Sequence, residues 1–157
     1  YLCNLLLFFL PGSRLFSLKR YLLKSIGVKV GNNVRIMGIR VQGVCLTIGD
    51  NTFIGDQTVI TGGRSKVTIG ANCDISSRVN IVTGTHGIGN IERAAGKGYS
   101  EDIVIEDGVW IGFGSTILHG VTIGKGSIIG AGSVVTKSIP SGVLAAGVPA
   151  KIKKYLY

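Results

Sequence analysis

Isoleucine or valine recurs every six residues from Ile105 through Ile111, Ile117, Ile123 and Ile129 to Val135. That interval restricts the fold more than any other property of the chain. An amphipathic helix repeats its apolar face near 3.6 residues and a half-buried strand every two, so a spacing of six means one short flat face per hexapeptide. Three such faces make one coil. The interval returns at Ile69, Ile75 and Ile81, at Ile48, Ile54 and Ile60, and more weakly at Val30 and Ile36. Glycine commonly follows the periodic aliphatic, and a slim residue stands two before it: Thr52, Thr58, Cys73, Val79, Val109, Ser115, Val121, Ser127 and Ser133. A strand and a tight turn in every unit define a β-solenoid, whose units bury a core only by stacking.

Coils of eighteen residues begin near Val30, Ile48, Ile69, Ile105 and Ile123, about five in all. Three extra residues around Gly62 to Lys66 fit a bulge at one corner. Eighteen extra residues separate Ile81 from Ile105, and a solenoid that throws out one long loop does so at its working face. That loop opens at His86 and is glycine-rich with mixed charge, so mobility is expected of it. The chain therefore reads as one all-β domain: a helical cap over residues 1–25, the solenoid over 26–137 with a projecting loop at 87–103, and an extended tail over 138–157, whose last residues, 152–157, form a short helix or fray.

The apolar run Leu2 to Leu10, ended by Pro11 and Gly12, is too short to span a bilayer. A helix is expected from an N-cap at Ser13 to Ser25, with Leu15, Leu18, Leu22 and Ile26 on one side and Arg14, Lys19, Arg20 and Lys24 around them. Such a segment either covers the open end of the solenoid or lies on a membrane surface, and residues 1–24 suit both roles. The net charge of +9 is concentrated at the ends: residues 1–49 carry seven Lys or Arg and residues 136–157 carry four, with no acid in either stretch. No reading module or aromatic-interleaved basic face accompanies it, so no nucleic-acid partner is expected; phosphates of a small cofactor or an anionic membrane suit it better. Cys3, Cys45 and Cys73 lack metal-ligand spacing and read as free thiols in a reducing, cytoplasmic setting, possible contact with the inner membrane face included.

Four phrases in order, Val109-Trp-Ile-Gly112, Gly120-Val-Thr-Ile-Gly124, Gly130-Ala-Gly-Ser-Val-Val-Thr-Lys137 and Ala146-Gly-Val-Pro-Ala-Lys151, resemble the hexapeptide-repeat acyltransferases, most of all those that acetylate sugars and surface polysaccharides. The resemblance implies a left-handed parallel β-helix, acetyl-CoA as co-substrate and a homotrimer with sites between subunits. It also implies a catalytic histidine 24 residues before a tryptophan, the separation of His86 from Trp110. As general base His86 would take the proton of an attacking sugar hydroxyl or amine, with no acyl-enzyme. Ala131, Thr136 and Lys137 match cofactor contacts, Lys151 and Lys153 are candidates for the 3′-phosphate, and Trp110 stacks on the cofactor or packs at the trimer interface. Phe113 stands where relatives carry a small residue, so its ring either narrows the channel or packs on the pantetheine. His119 replaces a usual proline and reads as an exposed turn residue. With two histidines in the chain, no metal site is expected. The acid that orients His86 is open among Glu101, Asp102, Asp56 and Asp74. The acceptor implied is a sugar or a nucleotide- or lipid-linked sugar in polysaccharide synthesis; acetylation of serine or a xenobiotic, or a non-catalytic trimeric scaffold, are the alternatives.

Overall fold

The computed structural model describes residues 2–10 and 12–157; Tyr1 and the expected break at Pro11 lie outside the described residues. Each hexapeptide forms one short strand, because the periodic aliphatic and the slim residue two before it point to the same side of an extended chain. The first coil is β1 (Lys29–Val30), β2 (Arg35–Ile36) and β3 (Ile39–Gln42); the second is β4 (Cys45–Ile48), β5 (Phe53–Ile54) and β6 (Thr58–Thr61). The third is β7 (Lys66–Ile69), β8 (Asp74–Ile75) and β9 (Asn80–Val82), after which β10 (Gly84–Ile88) and β11 (Ala95–Ser100) leave the solenoid. The fourth coil is β12 (Ile103–Ile105), β13 (Trp110–Ile111) and β14 (Thr116–Ile117), and the fifth is β15 (Thr122–Ile123), β16 (Ile128–Ile129) and β17 (Val134–Val135).

Strands of equal rank stack in parallel into three sheets, β1-β4-β7-β12-β15, β2-β5-β8-β13-β16 and β3-β6-β9-β14-β17, which form the faces of a left-handed β-helix. The register sets like on like: Val30, Ile48, Ile69, Ile105 and Ile123 form one column. The six aliphatics from Ile105 to Val135 are fully buried, as are the nine slim inward residues from Thr52 to Ser133. At the corner between the first and second sheets the backbone takes a left-handed conformation, with Asn33, Asn51 and Asn72 in the early coils and Gly108, Gly126 and Gly142 in the later ones. Asparagine tolerates that conformation and adds a ladder: Asn33 donates to Asn51 at 3.1 Å and Asn51 to Asn72 at 3.3 Å.

The carboxy-terminal stretch differs from expectation. Ile139 bridges to Ile123 and β18 (Val143–Ala146) pairs with β16, so a sixth turn begins. The final residues are neither helical nor frayed: β19 (Lys151–Tyr155) runs back antiparallel on β18, giving the last rung of the second sheet a partner.

The amino-terminal helices α1 (Leu2–Phe9) and α2 (Phe16–Ser25) lie on the first coil, and two expectations there are corrected. Ser13 is not the N-cap; α2 starts after Leu15, which is itself left-handed (φ 58°) and makes no side-chain cap. Nor does α2 turn Leu15, Leu18 and Ile26 inward. They are 42–51% exposed; of the expected stripe only Leu22 packs partly against the core, while Lys19 and Leu23 are completely buried. The first coil has no preceding coil to receive hydrogen bonds from, so its outward carbonyls need other donors. The Lys19 ammonium donates to Ile36 and Met37 of that coil, at 3.0 and 2.6 Å, and to Gly12 at 2.7 Å, while Arg20 donates to Val34 at 2.9 Å. No aliphatic stripe can do this, which is why Lys19 and Arg20 face the coil alongside Leu22 and Leu23. Asn4 serves the third sheet the same way, pairing with both the N–H and the C=O of Val41 on edge strand β3.

Candidate functional site

The long insertion is a two-stranded antiparallel hairpin, Gly84 to Ser100, rather than an irregular loop from 87 to 103; it begins before His86, and Ile103 already belongs to the fourth coil. Its root passes so close to the second coil that a side chain on Gly62 (φ 146°) would strike Thr83 Oγ1, and one on Gly63 would strike Ser100 Oγ. The hairpin is tied to the preceding corner by a 2.7 Å bond between Ser65 and Ser100 and by Asp102, which accepts from the Lys66 N–H at 2.7 Å.

His86 lies on β10 opposite Gly98 of β11, with its side chain exposed to solvent. The imidazole lies over Gly98, where a Cβ would sit 3.4 Å from His86 Nε2, so the missing side chain leaves room for the ring. Two grooves open beside the imidazole, one of about 400 Å³ lined by Gly63, Thr85, His86, Tyr99 and Ser100 and one of about 520 Å³ lined by His86 with Asn90, Arg93 and Lys97. Among the described residues no carboxylate hydrogen-bonds His86. Of the acids considered for that role, Glu101 instead binds His119 and Asp102 the backbone of Lys66. Asp74 lies beside Trp110 in the second sheet, and Asp56 sits at the corner between the second and third sheets with its N–H on Ser77 Oγ.

His119 is not a free turn residue. Its side chain is 28% exposed, its Nδ1 lies 2.7 Å from Glu101 Oε2, and the Tyr99 ring meets it edge-on with centroids 5.7 Å apart. Positions 101 and 119 are eighteen residues apart, one coil of the repeat, and that spacing is the signal in the sequence that links them. The link exists because each coil returns to the same corner after eighteen residues.

The remaining candidates divide between two corners. Trp110 is 51% exposed on β13, and Phe113 and Ala131 stack one coil apart where the second sheet turns into the third, Phe113 accepting from the Gly132 N–H at 2.8 Å. The Phe113 ring is not free: the Arg78 guanidinium lies over it at 5.7 Å, itself bonded to Gln57 at 3.1 Å. Thr136 and Lys137 are exposed where the third sheet turns into the first, the corner that also carries the hairpin and His119. Lys151 and Lys153 are exposed on β19, beyond the fifth coil. A single chain thus brings Phe113 together with Ala131, and His86 to the same corner as Thr136 and Lys137, but leaves the two groups on either side of the third sheet. No cluster of three or more His, Cys, Asp or Glu suited to a metal ion occurs among the described residues.

Known proteins match this arrangement. The bacterial transferase hexapeptide (six repeats) matches residues 102–137 and the hexapeptide repeat of succinyl-transferase matches residues 45–81. A hexapeptide-repeat-containing acetyltransferase from Vibrio cholerae superposes with a TM-score of 0.81 at 30% identity, covering 99% of this chain and 87% of that one. A galactoside acetyltransferase in complex with coenzyme A gives 0.83 at 30% identity, with 99% and 78% covered. The polysialic acid O-acetyltransferase of Escherichia coli O1:K1 is 42% identical over 130 residues, 81% of this chain and 42% of that protein. The chain belongs to the hexapeptide-repeat acetyltransferase family. It spans about half the length of the curated relatives it matches.

Proposed function

We propose that this chain transfers an acetyl group from acetyl-CoA to a hydroxyl or amine of a sugar, with His86 as general base. The observation that carries the reading is the placement of His86: a solvent-exposed imidazole on a hairpin beside an open groove, at the corner that carries Thr136 and Lys137 two coils on. In the reaction the acceptor O–H or N–H gives its proton to the imidazole as its lone pair attacks the thioester carbonyl. The tetrahedral intermediate then collapses, the C–S bond breaks, and the leaving thiolate takes the proton back from the imidazolium. The exposed ammonium groups of Lys137, Lys151 and Lys153 fit the phosphates of the co-substrate, and the acid-free carboxy-terminal stretch leaves their charge unopposed.

The split of the candidates between two corners supports a trimer. If three chains turn their third sheets toward a common axis, the corner with Phe113 and Ala131 of one chain meets the corner with His86 and Lys137 of the next. Each groove is then walled by two chains. Thiol release from acetyl-CoA with a panel of sugars and nucleotide sugars tests the function. Turnover with at least one acceptor, lost about 10²- to 10⁴-fold in His86→Ala, is expected. An absence of turnover would make the protein a binding scaffold.

The outward side of the two helices favours a lipid-linked acceptor in surface-polysaccharide synthesis at an anionic membrane. Leu2, Phe8 and Phe9 of α1 are 69–81% exposed, Leu15, Leu18, Tyr21 and Ile26 in and around α2 face solvent beside exposed Arg14 and Lys24, and no acid occurs before Asp50. No helix among the described residues is long and apolar enough to cross a membrane, so contact would be at the interface. Co-sedimentation with phosphatidylglycerol vesicles, weaker with phosphatidylcholine and weakened by replacing Phe8 and Phe9 with Ser, is the expected result. Equal recovery of both forms with the vesicles would remove the lipid from the reading.

A further inference from the structure

The hairpin that carries His86 projects into solvent, and its direction depends on what holds its root. Toward the preceding corner it is held by Ser65–Ser100 and by Asp102 on the Lys66 N–H. Toward the following coil the contacts differ in kind. Glu101, the residue after β11, has its N–H on the Thr83 carbonyl at 3.0 Å, which closes the root of the hairpin. Its carboxylate reaches the His119 imidazole at 2.7 Å, and Tyr99 of the same strand packs edge-on against that ring. An ionised carboxylate only accepts, so Nδ1 of His119 carries the proton and the ring orientation is defined by the bond. Tyr99 lies opposite Thr85 in the hairpin register, and His86 is the next residue along. The brace therefore acts one residue pair from the imidazole.

Resting on the acetyl-transfer reading for its consequence, we infer that the His119–Glu101 pair, with Tyr99 seated on it, is a positioning device. It locks the hairpin against the fourth coil and so sets where His86 stands over the groove. His119 touches neither thioester nor acceptor in this role; it acts through Glu101 and Tyr99. The pair spans eighteen residues and two successive turns of one corner, so it can loosen without breaking a rung of the β-ladder. A displacement of about 1 Å in a catalytic group is enough to cost on the order of 10²-fold in rate.

Hydrogen exchange across residues 84–100, measured on the full chain as wild type, His119→Ala, Glu101→Ala, the double variant and His119→Asn, tests the brace. Asparagine keeps an N–H donor near the position of Nδ1. Hairpin amides are expected to exchange several-fold faster in each alanine variant and no faster still in the double variant. Exchange in His119→Asn should return toward wild type, with the same melting transition throughout. In the thiol-release assay the alanine variants should lose about ten- to a hundredfold in kcat with KM for acetyl-CoA unchanged. Unchanged exchange in His119→Ala, additive effects of the two alanine substitutions, or no recovery in His119→Asn would overturn the brace. If the wild type releases no thiol with any sugar, the acetyl-transfer reading fails, while the exchange data still decide whether the brace exists.

Discussion

Cys73 points into the prism in the inward column that also holds Thr52 and Val109, and its environment is readable atom by atom. Its N–H donates to Thr52 Oγ1 at 3.1 Å and its thiol to the Glu106 carbonyl at 3.1 Å. Burial pushes the thiol above its ordinary pKa of 9.0, only partly offset by the backbone N–H groups of Val109 and Gly108. Because the folded value is raised, the unfolded chain loses its proton first. Above pH 9 the native state holds more protons than the unfolded state, and stability falls as pH rises. Cys73→Val, which copies the residue at the same column position in the next coil, should remove part of that alkaline loss. Urea midpoints of the two proteins between pH 8 and 10.5 check this: the wild-type midpoint should fall relative to that of Cys73→Val as pH rises, and parallel curves would refute the assignment. Lys19 shows the reverse shift, lowered first by burial and only then raised by the charge of Asp56. It titrates in both proteins and cancels from the comparison.

The hairpin is the element that most clearly separates architecture from chemistry. Removing residues 84–101 would leave Ile81 six positions before the residue that is now Ile105, the interval found everywhere else in the solenoid. The excised protein should fold and melt cooperatively, since no inward residue is lost and β9 and β12 already belong to regular coils. It should release thiol at least about 10²-fold more slowly than wild type. Circular dichroism together with the thiol assay reads both outcomes, and an unfolded product would mean that the hairpin is structural. The insertion was legible in the sequence as an interruption of period, but its form was not. His86 opposite Gly98 is a pairing between residues twelve apart, set by hairpin register rather than by any repeat. Similarly, the stripe Leu15, Leu18, Leu22 and Ile26 marked α2 as amphipathic without saying which side would face the first coil. Open carbonyls at Val34 and Ile36 settled that in favour of Lys19 and Arg20.

At the scale of the whole molecule, the proposed trimer, with each site walled by two chains, makes a distinctive prediction. His86→Ala chains and Ala131→Trp chains should each be inactive, one lacking the base and the other with a blocked groove. In a mixed trimer one groove of three would combine an intact His86 corner with an intact Ala131 corner. Random reassembly should therefore recover about a quarter of wild-type thiol release. No recovery in verified mixed trimers would place each site within one chain. The sequence alone determined the first five coils, the inward columns and the position of the long insertion with His86 in it, because a solenoid repeats one local unit and local units are written in sequence. What only the tertiary structure decided were contacts between coils and at the solenoid ends: Lys19 under the first coil, β19 on β18, Arg78 over Phe113, and Glu101 on His119. Those depend on which residues eighteen or more positions apart return to the same corner, and on which backbone groups the last rungs leave unpaired; both are properties of the closed three-dimensional path rather than of any window along the chain.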